Sequence, residues 1–245
     1  MEVKYVDHYL TDSDVANFAR QSFAKLAESF TKEQNDNLIR FLARGMASKD
    51  WDVLITELHH IQDKKEAHDL LTYIRKIPEH WIPFSHPHIS VRVAAPVPIA
   101  RQCFKHKIGL VESEESRRYI KSTPVIYIPD EFRAAAPNVK QGSAGKHVAS
   151  DKYRDLYKKQ IQEAVKLYTD MVEVGICPEQ ARFALPQGAE VNWAWTGSLY
   201  AFANVYNQRI DSHAQKEVQV IAEQLDKIIS PLYPVSWAAL TKGEY

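Results

Sequence analysis

With 245 residues, the chain has the length of one large domain or two small ones, and 45% apolar against 25% charged residues excludes a disordered or collagen-like polymer. Lys plus Arg balances Asp plus Glu at 31 each, which leaves no excess field to hold a nucleic acid or a membrane surface. Two cysteines are too few for a disulfide framework, no uncharged apolar run reaches the roughly 20 residues that cross a bilayer, and the start lacks a leader pattern, so a cytoplasmic globular protein is expected.

The first third reads as successive helices. Ser13-Asp14 can cap a helix carrying Val15, Phe18, Phe23, Leu26 and Phe30 near the 3.6-residue period. Thr31 and Gln34 have capping-box spacing and open a second helix that should stop near Gly45. Two more helical stretches, about 50–60 and 64–75, precede Pro78. Alternation over 88–93, with Ile89, Val91 and Val93 on one face, predicts a half-buried strand. Pro96-Val97-Pro98 breaks it and starts a short helix over 100–106. A polar stretch over 107–121 follows, then a second strand at 125–128 and a surface loop over 134–150. Beyond it come a long amphipathic helix over 152–174 ended by Gly175, a short helix from Pro178 through Phe183, and a strand over 189–195. Thr196 is placed as the cap of a helix running to about Arg209, and a last helix spans about 213–229. The sum is a single mixed α+β domain over 1–245, helix-rich, with little of the alternation that marks a parallel sheet.

Nucleotide-binding glycine loops and hydrolase or zincin signatures do not occur in the sequence. His59-His60 and His68-Asp69 lie too close for a His-Asp metal site, and His86-Pro87-His88 has no third ligand at a suitable spacing, so no metal is expected. The densest polar constellation runs from Arg101-Gln102 through Lys105-His106-Lys107 to Glu114, Ser116, Arg117, Arg118 and Tyr119. It reads either as solvated surface charge or as a phosphate-binding set of cations, hydroxyls and N–H groups. Neither Cys103 nor Cys177 has a neighbouring His to make it a thiolate, so both read as small core residues.

Four blocks, in order over about 83–219, carry a resemblance. They are Pro83-Phe84-Ser85-His86 leading to Ala100-Arg101-Gln102, then Lys105-His106-Lys107 with Ser113-Glu114-Glu115-Ser116-Arg117-Arg118-Tyr119. Ala181-Arg182-Phe183-Ala184-Leu185-Pro186 follows, and the last is Trp195-Thr196-Gly197-Ser198-Leu199 with Gln208-Arg209-Ile210-Asp211-Ser212-His213-Ala214-Gln215. Together they resemble the flavin-dependent thymidylate synthase family, whose signature is Arg-His-Arg followed by Asn-Glu-x-Ser-x-Arg-Tyr. The chain departs from it at Lys105 and Lys107, which keep charge but lose the planar fork, at Ser113 for Asn, and at Tyr200 for a flavin-contacting Arg. A helical insertion is expected near 46–78.

The resemblance implies a helix-rich fold around a mostly antiparallel sheet and a homotetramer whose active sites draw on several subunits. It implies methylation of dUMP to dTMP with FAD, NADPH and methylenetetrahydrofolate. Arg209 would be the catalytic cation beside the pyrimidine N3, oriented by Asp211. Gln102, Lys105, Ser116, Arg117, Arg118 and Arg182, with Arg209, would hold dUMP. His86, Lys105, His106, Lys107, Glu114, Ser198, Tyr200 and Asn204 would surround FAD. The alternatives are a methylase or hydroxymethylase of UMP or dCMP in the same fold, and a non-catalytic flavin or nucleotide binder.

Overall fold

Two long strands that alternate apolar and polar residues set the centre of the molecule. The computed structural model describes residues 1–75, 77, 80–137 and 142–243. The chain begins with β1 (Glu2–Tyr9), α1 (Asp12–Gln21), α2 (Lys32–Ala43), α3 (Ser48–His60) and α4 (Lys64–Arg75). The short α5 (Ile82–Ser85) leads into β2 (His88–Pro96), α6 (Val97–Cys103) and β3 (Leu110–Glu114). A hairpin of β4 (Arg133–Ala135) and β5 (Ser143–Lys146) precedes α7 (Ser150–Glu173) and α8 (Pro178–Ala181). The chain then forms β6 (Glu190–Ser198), α9 (Leu199–Arg209), α10 (Lys216–Ile229) and α11 (Pro234–Thr241).

The four long strands pair antiparallel in the order β1-β2-β6-β3. Alternation puts Ile89, Val91, Val93 and Ala95 of β2 beside Val191, Trp193 and Trp195 of β6 on one buried face. Apolar residues of α6, α9, α10 and α11 close over that face in one continuous core. Trp195 meets Phe202 edge to face at 5.5 Å, Trp193 meets Phe104 at 5.1 Å, and Tyr206 packs on Trp237 at 5.5 Å. Each such ring buries on the order of 200 Å², about 5 kcal/mol of transfer free energy before ordering entropy is set against it. The opposite face is polar, with Arg92 and Asn192 exposed and Ser90 Oγ 2.8 Å from Thr196 Oγ1 on the neighbouring strand. The α+β, antiparallel reading therefore holds. No helix among the described residues is long and apolar enough to cross a membrane.

Several elements differ from the sequence reading. Residues 2–9 form an edge strand within the third that reads as helices, and only Val3 of it is buried. The first helix ends at Gln21, because Ala24 turns to φ +53° and Phe30 is drawn back under the Arg20 guanidinium, 3.4 Å from the ring centre. Its cap is Thr11 rather than Ser13-Asp14: the Asp14 carboxylate accepts from both the Thr11 N–H and its hydroxyl at 2.8 Å. Thr31 and Gln34 do form the expected reciprocal box, and Gly45 takes the left-handed φ of +82° just past the helix end. The polar 107–121 stretch hides β3, and the strand expected at 125–128 is reduced to one bridge between Ile126 and Ala189. The loop over 134–150 contains most of the β4–β5 hairpin, although 138–141 lie outside the described residues. Thr196 belongs to β6; the cap of α9 is Ser198, whose Oγ accepts from the Ala201 N–H at 3.2 Å. Residues 234–241 add a final helix, α11.

Candidate active site

Arg209 stands in the last turn of α9, where a cation opposes the negative end of the helix dipole. Its side chain is also held. Nε donates to His106 Nε2 at 2.8 Å and Nη2 to the Gln102 carbonyl at 3.2 Å. An accepting Nε2 fixes the His106 proton on Nδ1. Burial, and then the Arg209 charge, push the His106 pKa from the ordinary 6.5 down to about 4, so the ring is neutral. One edge of the guanidinium is thereby occupied, and Arg209 lines a cleft of about 520 Å³ with Gln102, Arg133, Ser143, His213 and Gln215. Asp211 does not orient Arg209 as expected. Its carboxylate accepts from the His213 N–H at 2.7 Å and lies 2.9 Å from His213 Nδ1, and these contacts with His213 hold its pKa below the usual range.

A second cleft, also about 520 Å³, gathers Ser116, Arg117 and Arg182 with Arg101, Glu114 and Glu115. Arg182 Nε donates to the Glu179 carbonyl at 3.2 Å, and Arg118 Nε lies 3.5 Å from the exposed Glu179 carboxylate. Arg117 Nη1 donates to the Ser122 carbonyl at 2.6 Å, while its buried Nε has no partner among the described residues. Glu114 is held above the usual carboxylate range by burial and by Glu115, against the opposing charges of Arg182 and Arg101. Three arginines and a serine stand here with three carboxylates, Glu114, Glu115 and Glu190, so the cleft offers cationic donors and acceptors in equal number.

The two clefts share no lining residue. Helix α6 contributes to both, giving Arg101 to one and Gln102 to the other. The sequence-predicted residues thus fall into groups. Gln102, His106 and Arg209 come together, as do Glu114, Ser116, Arg117 and Arg182. Exposed His86 stacks on Phe18 at 3.9 Å, and Tyr200 stacks on Trp81 at 6.0 Å. Ser198 is buried and its hydroxyl caps α9; Asn204 is half-buried on the same helix. Lys105 is exposed, and Lys107 pairs with Glu112. Burial raises the Cys103 thiol to about 12, so it carries no thiolate at neutral pH; Cys177 is free and exposed, not the core residue expected.

Sequence reasoning missed Arg133, His213, Gln215 and Glu217, and named Arg101 in the polar constellation without giving it a role. His213 and Gln215 stand inside a block already singled out, and their closeness to Arg209 in that block was the available signal. Arg133 had none, because its partner Glu217 is distant in sequence.

Comparison with known proteins gives the family. The family model described as thymidylate synthase complementing protein matches residues 5–235. A flavin-dependent thymidylate synthase of Thermosipho africanus (strain TCF52B) is 33% identical over 168 residues, covering 68% of this chain and 73% of the relative. That of Thermosipho melanesiensis (strain DSM 12029 / CIP 104789 / BI429) is 30% identical over 187 residues, covering 76% and 81%. Among solved structures, a UMP/dUMP methylase, PolB, from Streptomyces cacaoi bound with 5-Br dUMP has the same fold, with a TM-score of 0.74 at 23% identity over 97% of this chain and 93% of that one. A family match over nearly the whole chain, with relatives at this identity over more than two-thirds of it, makes this protein a member of the flavin-dependent thymidylate synthase family of enzymes.

Proposed function

We propose that the protein methylates C5 of dUMP to give dTMP, taking the carbon from methylenetetrahydrofolate and two electrons from NADPH through bound FAD. In balance, NADPH and a proton are consumed, and tetrahydrofolate and NADP⁺ leave with the product. The observation that carries the reading is the held guanidinium of Arg209, tied along one edge to His106 and the Gln102 carbonyl, on a residue that lines an open cleft. A cation fixed before reaction stabilises negative charge as the pyrimidine N3 gives up its proton, and it needs no reorganisation when that charge develops. Ser116, Arg117, Arg118 and Arg182 hold the nucleotide phosphate in this reading, and Gln102 and Lys105 complete its surroundings. The buried, protonated Cys103 supports a route without a thiolate nucleophile.

The chemistry of the remaining residues fits a flavin dinucleotide. Lys105 and Lys107 supply cations for a diphosphate, His86 and Tyr200 supply aromatic faces for planar rings, and His106 Nδ1, Ser198, Asn204 and Glu114 supply polar groups around them. When bound, the flavin supplies hydride transfer. The separation of the Arg209 and Arg182 groups into two clefts of one chain supports a homotetramer in which neighbouring subunits complete each site. We place the enzyme in the cytoplasm. UMP is the competing substrate, because the methylase of the same fold is described as acting on UMP as well as dUMP.

The test is a product assay by mass spectrometry with dUMP, UMP and dCMP side by side, on protein checked for released flavin. Methylated dUMP as the dominant product supports the reading. A methylated or hydroxymethylated product from UMP or dCMP alone, or no product from a flavin-loaded protein, overturns it.

A further inference from the structure

Glu217 is a buried carboxylate that the mechanism above does not use. One Arg133 nitrogen donates to both of its oxygens at 2.8 Å, and Arg133 Nε donates to Ser143 Oγ at 2.7 Å. Burial alone would raise its pKa, yet the hydrogen bonds from Arg133 and Gln215 outweigh that and hold it below the usual range. Glu217 is therefore ionised, and an ionised carboxylate can only accept hydrogen bonds.

That restriction propagates. Gln215 must turn its NH₂ toward Glu217, and its Nε2 lies 2.9 Å from Oε2. The Gln215 oxygen then faces the other way and accepts from Gln102 Nε2 at 2.6 Å. Gln102 has its nitrogen committed, and its Oε1 has no partner among the described residues. We propose that Glu217 is a positioning residue: it sets the direction of this glutamine relay so that Gln102 presents an acceptor oxygen, rather than an NH₂, to a donor N–H or O–H of the nucleotide in the Arg209 cleft. The proposal rests on the reading in which Gln102 touches the nucleotide. It distinguishes Glu217 from a simple clamp on the β4–β5 hairpin, which would need the charge but not the direction.

The experiment is a double-mutant cycle on the full flavin-loaded chain labelled with ¹⁵N-glutamine, read by dUMP titration and by the side-chain amide resonances without ligand. Glu217→Gln lets the relay run either way, and dUMP affinity falls about tenfold. Gln102→Glu alone leaves Gln215 between two carboxylates. Adding Glu217→Gln to that variant reverses the relay: the new amide at 217 donates to Gln215, which donates to the new carboxylate at 102, again an acceptor. In the Gln102→Glu background, Glu217→Gln is thus expected to tighten dUMP binding at least threefold. Glu217→Met relieves the same carboxylate repulsion without offering an N–H and should give no such gain. Equal gains from Met and Gln, or loss of affinity on Glu217→Gln in both backgrounds, overturn the proposal. In the absence of ligand, Gln102 and Gln215 should each show a slowly exchanging amide that Glu217→Gln makes fast. Unchanged exchange also overturns it. Amides that respond as described in a protein that binds no dUMP leave the relay standing and refute the substrate reading alone.

Discussion

Removing the Arg209 side chain separates its chemical role from its place in the structure. Arg209→Ala deletes two hydrogen bonds, to His106 Nε2 at 2.8 Å and to the Gln102 carbonyl at 3.2 Å; Gln102 and Arg209 line an open cleft from which water can enter the space left by the side chain. The stability loss should be about 1 kcal/mol, a fall in Tm of roughly 2–4 °C for a chain of this length. The kinetic loss should be much larger. Removing one preorganised group that meets developing charge lowers turnover at least ~100-fold, or about 2.7 kcal/mol of transition-state stabilisation. Arg209→Lys keeps a positive charge, but one ammonium cannot hold His106 and the Gln102 carbonyl while presenting a second edge, so its rate should fall between the two. The measurement is rapid-quench single-turnover formation of dTMP from dUMP and methylenetetrahydrofolate, with flavin content, reduction by NADPH and melting temperature recorded for each variant. Near-normal single-turnover formation in a folded, flavin-loaded Arg209→Ala protein would reduce Arg209 to a dipole-compensating residue and refute the mechanism.

Cys103→Ser and Cys177→Ser should both retain turnover; placing a hydroxyl in the buried 103 site should lower stability by about 1–2 kcal/mol in chemical denaturation, and an inactive but folded Cys103→Ser protein would restore a thiol mechanism. Arg118→Ala and Arg182→Ala should weaken dUMP binding by roughly 1.5–3 kcal/mol each in calorimetry while leaving flavin affinity nearly unchanged; the reverse pattern would exchange the two subsites. His106 binds its proton less readily when folded, about 4 against 6.5, so its contribution is complete above 6.5 and is lost as the pH falls toward 4. Denaturation curves across that window should therefore be steeper with pH for the wild type than for His106→Asn, and parallel curves would contradict the buried neutral ring. Gly197→Ala should cost about 2–3 kcal/mol and lower Tm by several degrees, because a Cβ there would meet the Leu110 side chain and stand 2.6 Å from the Gly109 carbonyl oxygen; an unchanged melting curve would show that β3 can move aside.

The central strands were legible because one face is buried and the other is not, as Ile89, Val91 and Val93 alternate with Ser90 and Arg92. Edge strands lack that contrast. In β1 only Val3 is buried and in β3 only Leu110, so Lys4, Tyr5, Glu112 and Ser113 gave no periodic signal. Helix α11 was lost for the opposite reason: Ser236, Trp237, Ala239, Leu240 and Thr241 are all buried, which leaves no polar stripe to set the 3.6-residue period. At the site, the ordered blocks singled out Arg209, Arg182 and Ser116 as candidates through resemblance. Their grouping into two clefts, and the Arg133–Glu217 contact across the chain, depend on tertiary pairing that local spacing does not encode.

Arg101 and Gln102 leave α6 at adjacent positions, about 100° apart around the helix axis, and enter different clefts. Their helix is seven residues long, begins at a proline-fixed turn, and is sealed into the core by Ile99, Ala100 and Cys103. It behaves as a rigid spindle with a spoke in each chamber: a rotation that widens one chamber swings the other spoke by the same angle. Refitting this scaffold to a larger or differently functionalised nucleotide by tilting α6 would disturb both chambers at once. Retuning is therefore confined to exchange of lining side chains that do not stand on α6, such as Ser143 and His213 in one chamber and Glu115 and Phe183 in the other.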